Sequence, residues 1–232
     1  MVTVLILAGG VDPQFKMNVP KQFVNIFNKP VFIYAAEAYQ KHPMVDRIMI
    51  ASLPGWEEMV RAYAKQFNIT KLTDIVTGGA YCQDTSYNAV KALDGICVDD
   101  DILLLADAIR PMVEADLITG AIRECMAHGN GVACVETMDM IMDKKGSNVI
   151  NRYDIVRIQT PQAYKYGFLK KCHEDAEKKG ITSQYDISTM VAKLGNQIFF
   201  SKGSDMNMKI NTVEDVEMFK ALYKMKNSVS VL

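Results

Sequence analysis

The first stretch of the chain, residues 2–23, constrains the fold more than any other. It opens with an apolar, β-branched run (VTVLIL), which is followed directly by Ala8, Gly9 and Gly10. A short apolar run that ends in glycine is typical of a buried strand entering a tight loop. Glycines at that place let the backbone approach a ligand, and their N–H groups can bind an anion. Because Lys21 returns a positive charge to the same region, the stretch predicts a site for a phosphate-rich molecule.

A second interpretation of this stretch stays open at the level of spacing. A strand followed by two glycines is common in α/β proteins, whatever their function. A lysine that follows a proline, as Lys21 follows Pro20, is often only solvated.

The rest of the chain alternates apolar strands with helices. Strands are predicted at 45–52, 72–76, 102–106, 131–136 and 197–201, and helices at 31–42, 56–67, 84–93, 114–127, 167–179, 187–194 and 212–224. This order predicts an α/β fold with a mostly parallel sheet and helices on both faces. Ligands of such sheets bind at the carboxyl ends of the strands, so we expect the loops 8–21, 77–85 and 107–111 to converge.

Residues 137–158 interrupt this alternation. Apolar residues alternate from Met138 to Met142, a Lys-Lys-Gly-Ser turn follows, and a second extended piece contains Val149 and Ile150. This pattern predicts a projecting β-hairpin, called the arm below. Its apolar face is expected to pack on a second copy of the chain, forming a homodimer, although it could instead fold over its own sheet.

Smaller features complete the prediction. Residues 160–162 (Thr-Pro-Gln) are expected to form a rigid bend, and 207–211 a short extended piece. Thr212 and Asp215 suit a cap at the start of the last helix, and residues 228–232 are expected to be a frayed tail.

Composition limits the possible functions. The 232 residues are 49% hydrophobic, which is enough for a single domain over residues 1–232. A net charge of -1 gives no global field for nucleic acid or membranes, and no apolar run reaches the roughly 18 residues of a spanning helix. Five cysteines without CxxC spacing favour reduced thiols. We therefore expect a soluble cytoplasmic protein that binds neither nucleic acid nor membrane.

Three charged residues are candidates for chemistry. Asp107 follows an apolar strand, where a carboxylate can bind Mg²⁺ together with substrate phosphates; alternatively, it caps the next segment or pairs with Arg110. Lys209 and Arg152 could contact phosphates, or be ordinary surface residues. No nucleophile, base and orienting group are recognisable, but phosphoryl or nucleotidyl transfer does not require them.

Motifs in order along nearly the whole chain resemble a known family. They are LAGG, PKQF, a Gly-Gly pair with a threonine six residues on, DAIRP, Arg152 eight residues before TPQ, and NMKIN. Together they resemble the cytidylyltransferases that act on 2-C-methyl-D-erythritol 4-phosphate or ribitol 5-phosphate. Trp56 and the VRIQTPQ run are closer to the ribitol-phosphate branch.

The resemblance implies a Rossmann-like sheet, a homodimer formed through the arm, and Mg²⁺-dependent transfer of CMP from CTP to a polyol phosphate with release of pyrophosphate. It also implies roles for individual residues. Lys21 would hold the nucleotide's phosphates, Lys209 would stabilise developing charge, and Asp107 would bind magnesium. Arg152 would bind the polyol phosphate in the partner's site, and Thr160 would support that pocket. The residues implied to line the cytidine nucleotide are Ala8, Gly9, Gly10, Gly79, Thr85 and Ala108.

The chain departs from the family pattern at five positions, which are Asp12, Gln14, Cys82, Ala106 and Met140. Asp12 and Gln14 replace a glycine and an arginine of the first loop, and Cys82 replaces an arginine of the second. Losing charge-assisted contacts to a reacting phosphate lowers rates by factors of hundreds. Two alternatives therefore remain: a weakened homologue that binds nucleotide or scaffolds a partner, and an enzyme with a changed nucleotide or acceptor.

Overall fold

The computed structural model of the protein describes residues 1–10, 15 and 19–229. The helices are α1 (Val31–Lys41), α2 (Glu57–Gln66), α3 (Cys82–Ala92), α4 (Ala115–His128), α5 (Tyr166–Lys178), α6 (Ile187–Lys193) and α7 (Val213–Val229). The strands are β1 (Val2–Ala8), β2 (Asn25–Ile26), β3 (Lys29–Pro30), β4 (Arg47–Ser52), β5 (Leu72–Thr77), β6 (Ile102–Asp107), β7 (Asn130–Glu136), β8 (Ile141–Met142), β9 (Val149–Ile150), β10 (Val156–Lys165) and β11 (Phe200–Lys202). Short 3₁₀ turns cover Lys21–Phe23 and Arg152–Asp154.

Seven strands form the main sheet in the order β11-β7-β10-β6-β1-β4-β5. β10 is antiparallel to both of its neighbours, and the other pairs are parallel, which confirms the mostly parallel sheet. The chain runs outward from β1 to β5 and then returns to the other side of β1 with β6. The order of the strands therefore reverses between β1 and β6, where α/β proteins bind ligands.

Alternate side chains of the strands bury themselves under helices on opposite faces. Val4 and Ile6 of β1 pack in a cluster with α1, α2 and α4, whereas Leu5 packs in a second cluster with α3, α5 and α6. This alternation confirms the helices on both faces. A third cluster packs α7 against the rest of the fold. In it, the rings of Phe219 and Tyr34 pack edge to face with their centroids 5.0 Å apart.

Several predicted boundaries differ from the structure. Thr160 and Pro161 lie inside β10 rather than in a bend between elements; the proline coincides with a shift in the pairing with β7 between Ile158 and Gln162. Residues 207–211, predicted as a short extended piece, lie between β11 and α7 and join no sheet. The last helix continues to Val229, into the predicted tail, whose residues 230–232 lie outside the described part.

The cap of α7 is confirmed. The Thr212 N–H donates to the Asp215 carboxylate at 2.9 Å, and the Asp215 N–H donates to Thr212 Oγ1 at 3.2 Å. Two backbone donors at the start of the helix are satisfied in this way. Helix α3 begins at Cys82, two residues before its predicted start.

The arm is present as a short antiparallel hairpin of β8 and β9, in which Ile141 pairs with Ile150. Asp143 holds its turn, because its carboxylate accepts the Ser147 N–H at 3.0 Å and the Asn148 side-chain amide at 2.6 Å. These hydrogen bonds lower the pKa of Asp143 to about 2. The predicted arm ended at residue 158, but β10 already begins at Val156.

All five cysteines are free thiols, and Cys125 and Cys172 are buried. Over the ranges 1–10 and 19–229, no helix combines the length and the apolar character needed to cross a bilayer.

Candidate active site

Two glycine loops meet at the carboxyl ends of β1 and β5. A Cβ atom placed on Gly9 would lie 2.8 Å from the Gly78 Cα, so the two backbones touch and neither position tolerates a side chain. Beside this contact lies a cleft of about 570 Å³. Its lining includes Gly10 from the first loop, and Gly79 and Thr85 from the second. The structure therefore brings together two of the three predicted loops.

Thr85 holds the second loop in place. Its hydroxyl accepts the Gly79 N–H at 2.9 Å and donates to the Tyr81 carbonyl oxygen at 3.0 Å. The Gly79 N–H is thus bonded within the protein instead of pointing to an anion. Thr85 lies where the sequence placed it, but its hydroxyl positions the loop.

Gln22 holds the first loop, a role that the sequence analysis missed. Its side chain is 2% exposed and donates to the carbonyl oxygens of Ala8 at 2.7 Å and of Gly10 at 3.1 Å. The available signal was its place in the PKQF motif. The next residue of that motif, Phe23, stacks on Trp56 with ring centroids 4.4 Å apart, so Trp56 supports the loop by packing.

Ala8 and Ala108 lie at the ends of β1 and β6, with fully buried side chains. The Ala108 N–H donates to the Leu7 carbonyl oxygen at 3.3 Å, which joins the third predicted loop to the first. Their methyl groups are buried, and neither residue belongs to the described lining of the cleft.

Asp107, at the end of β6, is the centre of a charged cluster. Its side chain is 15% exposed. One carboxylate oxygen accepts Arg110 Nε at 2.9 Å, and the other accepts Lys209 Nζ at 3.3 Å. The Asp107 N–H donates to Thr160 Oγ1 at 3.0 Å. Asp107 therefore makes the ion pair with Arg110 that the sequence offered as an alternative, and it also contacts Lys209.

The cluster carries excess positive charge. Burial raises the pKa of the Asp107 carboxyl, but the neighbouring charges of Lys209 and Arg110 outweigh this effect, so the pKa lies below its usual value. Asp107 is therefore ionised at neutral pH. Two cations then surround one carboxylate, an arrangement that can accept a phosphate group.

The segment 207–211 carries Lys209 into this cluster. Arg110 Nη1 donates to the Asn207 carbonyl oxygen at 2.6 Å, and the Ile210 N–H donates to the Ile109 carbonyl oxygen at 2.9 Å. The fully buried Asn207 side chain donates to the Thr160 carbonyl oxygen at 2.8 Å. The residues on both sides of Lys209 are thus held by contacts with the loop after β6 and with the middle of β10.

Lys21 reaches the same segment. Its Nζ donates to Asn211 Oδ1 at 3.3 Å, two residues beyond Lys209. The three residues predicted as catalytic, Lys21, Asp107 and Lys209, are therefore gathered around one segment.

The sequence as a whole matches the 2-C-methyl-D-erythritol 4-phosphate cytidylyltransferase (IspD) family over residues 2–224. The chain belongs to this family. The resemblance inferred from the motifs is thereby confirmed, and the IspD family is one of nucleotidyltransferases.

Individual relatives span nearly the whole chain. A ribitol-5-phosphate cytidylyltransferase of Lacticaseibacillus paracasei is 34% identical, covering 97% of this chain and 99% of the relative. A 2-C-methyl-D-erythritol 4-phosphate cytidylyltransferase of Clostridium botulinum is 33% identical, covering 92% of this chain and 93% of the relative.

Solved structures share the fold. The 4-diphosphocytidyl-2C-methyl-D-erythritol synthase of Anaerococcus prevotii aligns with a TM-score of 0.81 at 18% identity, covering 96% of each chain. The 2-C-methyl-D-erythritol 4-phosphate cytidylyltransferase of Thermus thermophilus aligns with a TM-score of 0.77 at 22% identity, covering 96% of this chain and 98% of the other. At these identities the likeness establishes the fold alone.

Arg152 lies on the arm and does not take part in the charged cluster of Asp107, Arg110 and Lys209. Its guanidinium donates to the Met138 carbonyl oxygen at 2.8 Å and lies 5.1 Å from the centre of the Tyr153 ring. Among the described residues, no hydrogen bond or ion pair joins Arg152 to Asp107 or Lys209.

The departures from the IspD pattern fall in different surroundings. Cys82 lines the cleft. Its burial and the nearby carboxylates of Asp186 and Asp107 raise the pKa of its thiol to about 12. The thiol is therefore neutral at pH 7. Ala106 is buried in the core, and Met140 is 78% exposed on the arm. Asp12 and Gln14 lie outside the described residues.

The charged cluster offers a metal ion one carboxylate ligand, that of Asp107. Within residues 1–10 and 19–229, no group of three or more His, Cys, Asp or Glu side chains could enclose a metal ion. Mg²⁺ is commonly bound by one or two carboxylates together with substrate phosphates, and Asp107 fits that role.

Proposed function

We propose that this protein transfers CMP from CTP to ribitol 5-phosphate and releases pyrophosphate, with 2-C-methyl-D-erythritol 4-phosphate as the second candidate acceptor. The observation that carries the proposal is the cluster of Lys209, Asp107 and Arg110. It lies at the edge of the sheet where the strand order reverses, as does the cleft that is lined by the glycine loops. The names of the two relatives support the same pair of acceptors.

The reaction requires no protein nucleophile. An oxygen of the acceptor phosphate attacks the α-phosphorus of CTP, and the bond from that phosphorus to the β-phosphate oxygen breaks, so pyrophosphate leaves with the electron pair. Lys209 and Lys21 stabilise the negative charge that develops on the phosphates, while Arg110 keeps Asp107 and the segment 207–211 in place. The glycine loops let the nucleotide approach the backbone.

Asp107 is the residue that would hold Mg²⁺ together with the substrate's phosphates, and the ion would supply further charge neutralisation. Lys209 contacts the same carboxylate, so Lys209 and the ion would neutralise charge on the same phosphates.

The proposal includes a homodimer formed through the arm. Met138, Met140 and Tyr153 are more than 70% exposed there, which is unusual for large apolar side chains of a lone chain. Arg152, fixed against Met138 and Tyr153, would bind the acceptor phosphate in the partner's site. Light scattering should give the mass of two chains for the wild type and of one chain for Met140→Asp.

The enzymatic test is CTP-dependent release of pyrophosphate with ribitol 5-phosphate and, separately, with 2-C-methyl-D-erythritol 4-phosphate. We expect turnover that Lys21→Ala abolishes. Lys226→Ala is the matched control, because Lys226, which lies on α7, makes an exposed ion pair with Glu114. Absence of turnover with both acceptors and with other sugar phosphates would contradict the proposal.

A second candidate is a homologue that binds nucleotide without efficient turnover, and Cys82 favours it, because a neutral thiol stands where the family carries an arginine. Calorimetry separates the two functions: CTP binding without turnover supports the second. A screen of the four nucleoside triphosphates tests whether the donor has changed.

A further inference from the structure

An aromatic pair forms one wall of the cleft. Tyr185 is 83% exposed, yet it lines the cleft together with Tyr81, against which its ring packs edge to face at a centroid distance of 5.1 Å. The two rings come from different segments, the loop before α3 and the loop before α6. An exposed tyrosine in a concave site has much apolar area to bury when a ligand enters.

The loop that carries Tyr185 is firmly held. The Gln83 side chain donates to the Ile181 carbonyl oxygen at 2.7 Å and accepts the Gln184 N–H at 3.2 Å, and the Gln83 N–H donates to the Gln184 carbonyl oxygen at 3.1 Å. On the other side, Asp186 caps α6 by accepting the Ser188 N–H at 2.8 Å. Tyr185 therefore lies between two anchored residues, and its exposure is built into the fold.

The described lining of the cleft carries no charged side chain. Glycine and alanine backbone, proline, leucine and a neutral thiol surround the two tyrosines. Such a surface suits a planar, uncharged group. Phosphates suit the charged cluster at Asp107, Lys209 and Arg110 instead.

The cleft and the charged cluster lie at the same edge of the sheet. Leu7, which lines the cleft, is the register partner of Asp107 in the parallel pair of β1 and β6. One nucleoside triphosphate could therefore contact both places, with its base in the cleft and its phosphates at the cluster.

We infer that Tyr185, backed by Tyr81, stacks on the nucleobase of the donor nucleotide. This inference rests on the proposed function and names a residue that sets donor affinity. Every base has a π-face, so stacking strengthens binding without reading the base. Removing the ring should weaken the binding of CTP and of UTP by the same factor, so the ratio of the two affinities should stay unchanged.

The test compares Tyr185→Ala with Tyr185→Phe, which keeps the ring and removes the hydroxyl. Phe200→Ala is the control, because Phe200 is another exposed aromatic residue, on the opposite edge strand β11. For Tyr185→Ala we expect the KM for CTP to rise about 5- to 100-fold with kcat nearly unchanged. Tyr185→Phe and Phe200→Ala should stay within about twofold of the wild type.

A binding measurement gives a readout that does not depend on turnover. Calorimetry should show that CMP binds Tyr185→Ala more weakly by the same factor, whereas inorganic triphosphate, which has no base, binds all three variants like the wild type. Equal loss of triphosphate binding would indicate a disturbed fold and overturn the inference.

The outcomes separate the inference from the proposed function. If the wild type turns over CTP and Tyr185→Ala has the wild-type KM, stacking is wrong and the function stands. If the wild type neither turns over nor binds any nucleotide, both fail.

Discussion

Two carboxylates with lowered pKa values show how differently the active site and the arm are held together. Asp143 is half-buried on the arm, and the groups that bond it belong to Ser147 and Asn148, within five residues along the chain. Asp107 is nearly buried, and its contacts include Thr160 and Lys209, which are 53 and 102 residues away. The arm is therefore a local structure, whereas the site exists only when the whole sheet has formed. A change in the arm should leave the fold intact, and a change in the site should affect both fold and chemistry.

Removing Lys209 should give the largest effect. We expect Lys209→Ala to lower kcat by about 100-fold or more, because one charge-assisted contact to the reacting phosphate disappears. Pyrophosphate release at saturating CTP measures it. Lys220→Ala, which breaks only an exposed pair with Glu217, is the control and should keep full activity. An equal loss of activity in both variants would show that Lys209 contributes no more to catalysis than an exposed surface lysine.

Asp107→Asn should destabilise the fold by about 2 kcal/mol at pH 7, because two cations lose their shared counter-charge. The folded-state pKa of Asp107 is lowered, so its stabilisation is present above the unfolded value of about 3.9 and is lost as the pH falls through the folded value. The difference between wild type and variant should therefore shrink below about pH 4. Urea unfolding at pH 7 and pH 3 measures it, and a difference that stays constant with pH would contradict the ion-pair account.

Thr160→Val should have a smaller effect, about 1 to 2 kcal/mol, since the valine leaves the Asp107 N–H without an acceptor. Thr160→Ser keeps the hydroxyl and should lose less than about 0.5 kcal/mol. Thermal unfolding of the two variants provides the comparison. If serine is as harmful as valine, packing of the methyl group matters more than the hydrogen bond.

Asp143→Ala should have the smallest effect on the whole chain. We expect an unchanged midpoint of global unfolding and faster hydrogen exchange at the Ser147 amide, which loses its acceptor. In the wild type this protection should persist down to about pH 2, where the Asp143 carboxyl becomes protonated. A lowered global midpoint would show that the arm is coupled to the sheet within one chain.

The alternation of apolar strands with helices, the glycine loops and the arm could be predicted, because each depends on residues close together along the chain. β10 was missed, since proline at 161 resembled a break between elements, yet the strand continues through it. The role of Gln22 was missed for another reason: its two acceptors are backbone carbonyl groups, which have no side-chain signature.

The sequence by itself determined the alternation of buried strands and amphipathic helices, and the family motifs named Lys21, Asp107 and Lys209. Only the tertiary structure decided that Asp107 is shared between Lys209 and Arg110, and that Asn207 and Thr160 hold this arrangement. The physical reason is the range of the interactions. Hydrophobic periodicity and caps act over a few residues, whereas the charged cluster depends on which strands become neighbours in the sheet.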